Sequence, residues 1–159
     1  MSAKKRKQYR ILGKILFVSY IAFVFYFLLI SEVYGRTGEM KDYHYNLVLF
    51  QEIKRFWNYR EQLGMFATLT NLLGNVLIFL PFGFFMPMAS KHRSFLNTSF
   101  YSLALSLTVE ISQLFLKVGC FDVDDLLLNT IGGMLGYITF TVCNMIRRHH
   151  DKKAGSRKN

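Results

Sequence analysis

Four apolar runs, each about as long as a bilayer is thick, constrain this chain more than any other feature of its sequence. They cover residues 12–30, 65–88, 98–118 and 126–146. Runs of about 18 or more apolar residues predict transmembrane helices. Hydrophobic residues make up 52% of the chain, which is more than a soluble domain of this size contains. We therefore predict an all-α integral membrane protein, a bundle of four transmembrane helices forming one domain over residues 1–159.

The first apolar run follows a basic leader, residues 1–11. A basic leader before an apolar run is also typical of a signal peptide. However, the next residues, SEVYGRTG, contain no small-residue cleavage pattern, and more spans come later. We interpret the run as an uncleaved first helix.

Residues 46–59, between the first two spans, have the pattern of an amphipathic helix. Apolar side chains such as Ile53 and Trp57 fall on one side, and charged ones such as Glu52 and Lys54 fall on the other. The segment is too short and too charged to span a bilayer, and its aromatic residues suit the membrane interface. We predict a short interfacial helix here, while a lid packed on the end of the bundle fits the same pattern.

Basic residues predict the orientation of the chain. They crowd residues 1–11 and 147–159 and recur in the loop that carries Lys91 and Arg93. Because basic connections stay in the cytoplasm, four spans place both basic tails on the cytoplasmic side. A net charge of +10 also suggests nucleic-acid binding as an alternative, but no nucleic-acid-binding motif accompanies the charge. Membrane lipids are the expected partners of these charges, and nucleic acid is not.

Polar residues within the spans converge at one depth under this topology. Such residues are costly in a bilayer and usually face a bundle interior or a water-filled cavity. Here they lie in the outer halves of the second, third and fourth spans, whereas the inner halves are nearly all apolar. We predict an outward-facing ligand-binding site. Its residues are Asn71, Asn75, Glu110, Gln113, Asp122, Asp124, Asp125 and Asn129.

This set of residues fits a membrane enzyme acting on a lipid-linked substrate. Glu110, the one acid within a span, is the candidate catalytic acid or base. Asp122, Asp124 and Asp125 offer the oxygen ligands that Mg²⁺ or Ca²⁺ prefers. A metal-assisted hydrolysis or transfer is the expected form of such a reaction.

The same residues also fit a purely structural role. Asp122 and Asp124 are placed to cap the fourth helix. The amides and Glu110 are placed to hydrogen-bond between helices. A transporter is disfavoured, because the chain has no internal repeat and its inner half is apolar.

Three motifs occur in order along the second, third and fourth spans. The first reads N-x-x-G-N-x-x-x-F-x-P-x-G from Asn71, the second E-x-x-Q from Glu110, and the third G-x-F-D-x-D-D-x-x-x-N-x-x-G from Gly119. Together they resemble the VanZ-like family over about residues 43–140. The chain departs from the family pattern at Leu49, where members often carry proline.

The resemblance implies a small multi-pass protein of the plasma membrane of Gram-positive bacteria. The founding member of that family raises resistance to teicoplanin, a lipoglycopeptide antibiotic whose acyl tail acts at the outer membrane surface. The resemblance therefore implies an envelope protein that lowers susceptibility to such antibiotics. Its expected partners are the lipoglycopeptide or a lipid-linked cell-wall precursor. The family implies a phenotype, and whether the chain is an enzyme stays open.

Overall fold

The computed structural model of the protein describes residues 3–30, 42–91 and 93–156. The ends of the two predicted basic tails, residues 1–2 and 157–159, lie outside the described residues. The described part contains α1 (Ala3–Leu29), β1 (Tyr45–Asn46), α2 (Gln51–Asn58), α3 (Arg60–Leu63), α4 (Met65–Ala89), α5 (Phe95–Leu116), β2 (Phe121–Asp122) and α6 (Val123–Ser156).

Within this part of the chain, four helices are long and apolar enough to cross a membrane. Their apolar segments are Lys7–Leu29, Met65–Ala89, Phe95–Leu116 and Val123–Asp151. The predicted fold class, an all-α membrane protein with four apolar spanning helices, is confirmed.

The helices extend beyond the apolar runs from which they were predicted. α1 begins at Ala3 and α6 continues to Ser156, since lysine and arginine are good helix formers and neither extension contains proline. α5 begins at Phe95 rather than at residue 98, because the Ser94 side chain caps it by accepting a hydrogen bond from Asn97 N at 3.2 Å.

The segment predicted as an interfacial helix over residues 46–59 is divided in the structure. Asn46 belongs to β1, and the helix begins only at Gln51. Asn46 Oδ1 accepts a hydrogen bond from Val48 N at 3.0 Å, and such a local turn competes with helix formation. Phe50 then has a left-handed backbone, with φ of 64°. The placement of α2 relative to the membrane interface stays a prediction.

The two short strands join the segment before α2 to the acidic turn before α6. They pair in parallel, with Tyr45 opposite Phe121 and Asn46 opposite Asp122. Phe121 N donates to His44 O at 3.0 Å. This pairing anchors the connection that leads into α2 beside the start of α6.

Glycines bring α4 and α6 into backbone contact at the centre of the bundle. A Cβ atom added at Gly83 would lie 1.9 Å from Gly133 O, and one at Gly136 would lie 2.0 Å from Leu80 O. Such close approach is typical of membrane helices that pack through small residues. α1 covers the other side of α4, where Val24 and Phe79 are both fully buried.

Candidate functional site

A cavity of about 350 Å³ lies at the end of the bundle where α4 and α6 begin and α5 ends. Every residue that the sequence analysis assigned to the site lines it. These residues are Asn71, Asn75, Glu110, Gln113, Asp122, Asp124, Asp125 and Asn129. The structure thus brings the predicted set to one place, whereas the role of each residue stays a prediction.

A further wall of the cavity comes from α2, which the sequence analysis did not assign to the site. Its lining residues are Glu52, Ile53, Arg55 and Phe56. The amphipathic pattern of residues 46–59 could have identified Ile53 and Phe56, because a helix packed on the end of a bundle turns an apolar side towards it. Glu52 and Arg55 belong to the charged side, and the pattern gives no signal for them. Ile53 and Phe56 are half-buried, while Lys54 on the other side is exposed.

Asp122 caps α6 and ties it to the strand before α2. Its Oδ1 accepts hydrogen bonds from Asp124 N at 2.8 Å and from Asn46 Nδ2 at 3.2 Å. The side chain is buried, and this burial raises the pKa of Asp122 above its ordinary value, although the hydrogen bond from Asp124 N lowers it in part. Asp122 is therefore a structural acceptor that also lines the cavity.

Asp124 caps a different helix from the one on which it lies. Its carboxylate accepts hydrogen bonds from Phe50 N, from Glu52 N at 2.9 Å and from Ile53 N at 3.1 Å. These are amide groups at the N-terminus of α2, where phenylalanine at the N-cap offers no side-chain acceptor. Asp124 is 1% exposed. It thus holds α2 over the cavity, rather than capping α6.

Asp125 and Asn75 join α6 to α4. Asn75 Nδ2 donates a hydrogen bond to Asp125 Oδ1 across the cavity wall. Asn71, one turn earlier on α4, donates instead to Ala67 O of its own helix at 2.9 Å. The two asparagines share a face of α4, but among the residues that the structure describes only Asn75 makes a hydrogen bond to another helix.

Glu110 and Gln113 connect α5 to the rest of the bundle. Glu110 Oε2 accepts a hydrogen bond from Asp122 N at 3.0 Å, and Gln113 Nε2 donates to Leu28 O at the end of α1 at 3.1 Å. Glu110 is 2% exposed. Glu110 therefore bonds α5 to β2, Gln113 bonds α5 to α1, and both form part of the cavity wall.

Asn129 has a buried acceptor that the described residues do not satisfy. Its Nδ2 donates to Ser106 Oγ at 2.9 Å, whereas its Oδ1 has no hydrogen-bond partner among them. The side chain is 2% exposed and lines the cavity. A buried acceptor without a partner costs about 1–3 kcal/mol.

The charge of the lining is strongly negative. Five carboxylates line the cavity, on Glu52, Glu110, Asp122, Asp124 and Asp125, against the one guanidinium of Arg55. Arg55 Nη2 lies 2.6 Å from Glu52 Oε2. Burial raises the pKa of Glu52, and the neighbouring Arg55 cation opposes that rise. The cavity is suited to cations and to groups rich in hydrogen-bond donors.

The three aspartates do not share one set of contacts. Asp122 caps α6, Asp124 caps α2, and Asp125 accepts from Asn75. Within residues 3–30, 42–91 and 93–156, no group of three or more His, Cys, Asp or Glu is arranged to hold a metal ion. The Mg²⁺ or Ca²⁺ ion predicted at these residues stays a prediction.

Comparison with known proteins finds one family for most of the chain. The model of the VanZ/LLP1 family matches residues 17–144. The chain is also 28% identical over 144 residues to Protein VanZ of Enterococcus faecium, covering 91% of this chain and 81% of that protein. No solved structure matches the chain.

Proposed function

The chain belongs to the VanZ/LLP1 family, and from this membership we propose that it is an envelope protein that lowers susceptibility to teicoplanin-type lipoglycopeptides. The membership confirms the resemblance found in the sequence, and the four apolar helices make the chain a multi-pass membrane protein. The similarity to Protein VanZ at 28% identity supports the same role.

One observation carries the proposal, the acidic cavity at the end of the bundle. The cavity has a volume of about 350 Å³ and collects polar residues from α4, α5 and α6. Placing carboxylates and amides at this depth is costly, and a ligand-binding role accounts for a cavity there better than helix packing alone. If these residues served only helix packing, their hydrogen bonds would close among themselves and leave no cavity.

The orientation of the chain is part of the proposal. The acidic cavity lies at one end of the bundle, and Arg10, Arg93 and Arg147 lie together at the other. Basic ends stay in the cytoplasm, so both termini are cytoplasmic and the cavity opens to the outer leaflet. A lipoglycopeptide or a lipid-linked cell-wall precursor reaches the membrane from that side.

The chemistry of the lining defines what the cavity accepts. Its five carboxyl groups are hydrogen-bond acceptors. An ammonium group or a sugar rich in hydroxyl groups supplies the matching donors. The ligand is therefore a donor-rich headgroup attached to an acyl or isoprenoid chain in the outer leaflet.

The test is antibiotic susceptibility in a teicoplanin-sensitive host, with vancomycin as the comparison that lacks the acyl tail. Cells carry the wild type, Glu110→Gln or Asp125→Asn at matched membrane abundance. Glutamine and asparagine keep the oxygen that accepts from Asp122 N or Asn75 Nδ2, so these variants remove charge with little effect on packing. We expect the wild type to protect against teicoplanin and both variants to lose that protection.

Glu61→Gln is the matched control, because Glu61 is an exposed carboxylate on α3 that does not line the cavity. It should protect as well as the wild type. Full protection by Glu110→Gln and Asp125→Asn would show that the cavity carboxylates do not carry the function. A wild type that gives no protection would show that the family phenotype does not extend to this chain.

A second candidate function is a membrane enzyme acting on a lipid-linked envelope substrate, with Glu110 as acid or base. The observation in its favour is a carboxylate that is 2% exposed and yet lines a cavity, an environment in which acid–base groups are often found. Purified protein in vesicles, incubated with extracted cell-wall precursor lipid, should yield a product that Glu110→Gln does not form. Adding Mg²⁺ or a chelator tests the proposed aspartate-bound cation in the same assay. A wild type that leaves the lipid unchanged under both conditions excludes this reaction.

A further inference from the structure

A second cavity lies at the opposite end of the bundle from the candidate functional site. It has a volume of about 400 Å³ and is formed by the first part of α1, the connection between α4 and α5, and the later part of α6. Its lining residues are Tyr9, Arg10, Met88, Arg93, Phe140, Asn144, Arg147, Arg148 and Asp151. The function proposed above does not use this cavity.

Positive charge dominates the lining. Four guanidiniums and one carboxylate, that of Asp151, face the same space. Among the described residues, none of the four arginines forms an ion pair with a carboxylate, whereas Arg55 at the other end does. These arginines come from three separate parts of the chain. Because their charges are not in ion pairs with the described residues, they are available to an anionic partner.

The structure holds two of these arginines in place. The Arg147 guanidinium lies over the ring of Tyr9, at 5.4 Å from its centroid, and its Nη2 donates to Asn144 Oδ1 at 2.6 Å. Arg93 Nε donates to Ser90 O at 3.5 Å, and the Arg93 backbone carbonyl accepts from the hydroxyl of Tyr137 at 2.9 Å. Arginines that are positioned before a ligand arrives lose less conformational freedom on binding it.

The lining also has an apolar part. Met88 lies in the last turn of α4, and Phe140 lies in the apolar stretch of α6. The cavity thus reaches from the charged end of the bundle into the level of the apolar spans. A free anion would contact only the arginines, whereas an amphipathic molecule would contact both parts.

We infer that this cavity binds the phosphodiester headgroup of an anionic phospholipid of the surrounding bilayer. The planar fork of arginine matches phosphate oxygens in pairs, and basic pockets between transmembrane helices are known sites for anionic headgroups. Arg93 and Arg147 hold the phosphate, and the first segment of the acyl chains lies against Met88 and Phe140. The inference is independent of the function proposed for the acidic cavity.

The experiment measures lipid binding to the purified full chain in a neutral detergent. Phosphatidylglycerol is the anionic probe, phosphatidylcholine the zwitterionic one, and inorganic phosphate the free anion. We expect phosphatidylglycerol to bind about tenfold or more tightly than either of the others. The choline cation of phosphatidylcholine is repelled by the four arginines, and inorganic phosphate lacks the acyl chains that contact Met88 and Phe140. Equal binding of the two lipids would overturn the inference, and phosphate binding as tight as phosphatidylglycerol would replace the lipid with a free anion.

Variants separate a built pocket from general surface charge. Arg93→Gln and Arg147→Gln should each weaken phosphatidylglycerol binding about tenfold. Lys54→Gln removes an exposed cation at the other end of the bundle and should leave it unchanged. Arg147→Lys keeps the charge but loses the fork and the bond to Asn144, so it should also weaken binding. Binding by Arg147→Lys equal to that of the wild type would contradict a pocket built around arginine.

Discussion

Three aspartates that stand almost side by side in the sequence make different contacts in the folded chain. Asp122, at the end of β2, bonds to the start of the following helix α6, Asp124 bonds to the start of α2, and Asp125 bonds to Asn75 of α4. Successive residues of a helix point about 100° apart, so neighbours in the sequence reach different partners. The three aspartates therefore link α2, α4 and α6, and they also form part of the cavity wall.

Glycines make the strictest demand on residue size in this protein. Gly83 lies where a methyl group would come within 1.9 Å of Gly133 O. Backbone atoms cannot rotate away as a side chain can, so the two helices have to separate. Overpacking of this kind costs about 1–3 kcal/mol.

Gly83→Ala should lower the midpoint of thermal unfolding in detergent. Gly119→Ala is the control, since a Cβ at Gly119 would meet Gln113 at 3.4 Å, and the residue has no positive φ. We expect the control to unfold within a degree or two of the wild type. Equal midpoints for both variants would mean that α4 and α6 do not approach as closely as described.

At the scale of elements, α2 is held over the cavity by contacts that lie far apart in the sequence. The strand pair β1–β2 anchors the segment before it, and Asp124 satisfies the amides at its start. A helix of eight residues is too short to be stable alone in water. Its position therefore depends on these tertiary contacts.

Asp124→Ala should release α2 without unfolding the spans. The loss of a helix cap costs about 0.5–2 kcal/mol, so the amides of Glu52 and Ile53 should exchange with deuterium several-fold to tenfold faster. Hydrogen–deuterium exchange read by mass spectrometry over residues 50–58 measures this change. Glu61→Ala, which removes an exposed carboxylate on α3, should leave that exchange unchanged. Unchanged exchange in Asp124→Ala itself would show that other contacts hold α2.

At the scale of the whole molecule, charge is divided between the two ends of the bundle. Five carboxylates line the cavity at one end, and four arginines line the cavity at the other. The positive-inside rule relates this division to the two sides of the membrane. Under the proposed orientation, the acidic cavity faces the outside and the basic cavity faces the cytoplasm.

Chemical labelling of Cys120 tests which side of the membrane the acidic cavity faces. It lines that cavity, and burial together with the nearby Asp122 carboxylate raises the pKa of its thiol. In a Cys143→Ser background, a membrane-impermeant maleimide should label Cys120 in intact cells. Because the reactive form is the thiolate, labelling should be slow near pH 7 and rise towards about pH 9. Labelling that requires permeabilised cells would reverse the proposed orientation.

The amino-acid sequence by itself determined the spans and eight of the residues that line the acidic cavity. Apolar runs of membrane length predict helices whatever their neighbours are. Polar residues within these runs are recognisable as candidate site residues, because placing them in a bilayer is costly. For this reason the four spanning helices were predicted, and all eight predicted site residues line one cavity.

Only the tertiary structure decided which groups meet. The pairing of Asp124 with α2 joins residues more than 70 positions apart, whereas the structural role that the sequence left open for Asp124 was a cap of its own helix. The position of α2 as a wall of the cavity and the arginine cavity at the far end likewise depend on how the helices pack. Local patterns report the preferences of a single segment, whereas hydrogen bonds between segments depend on the distances that the whole bundle creates.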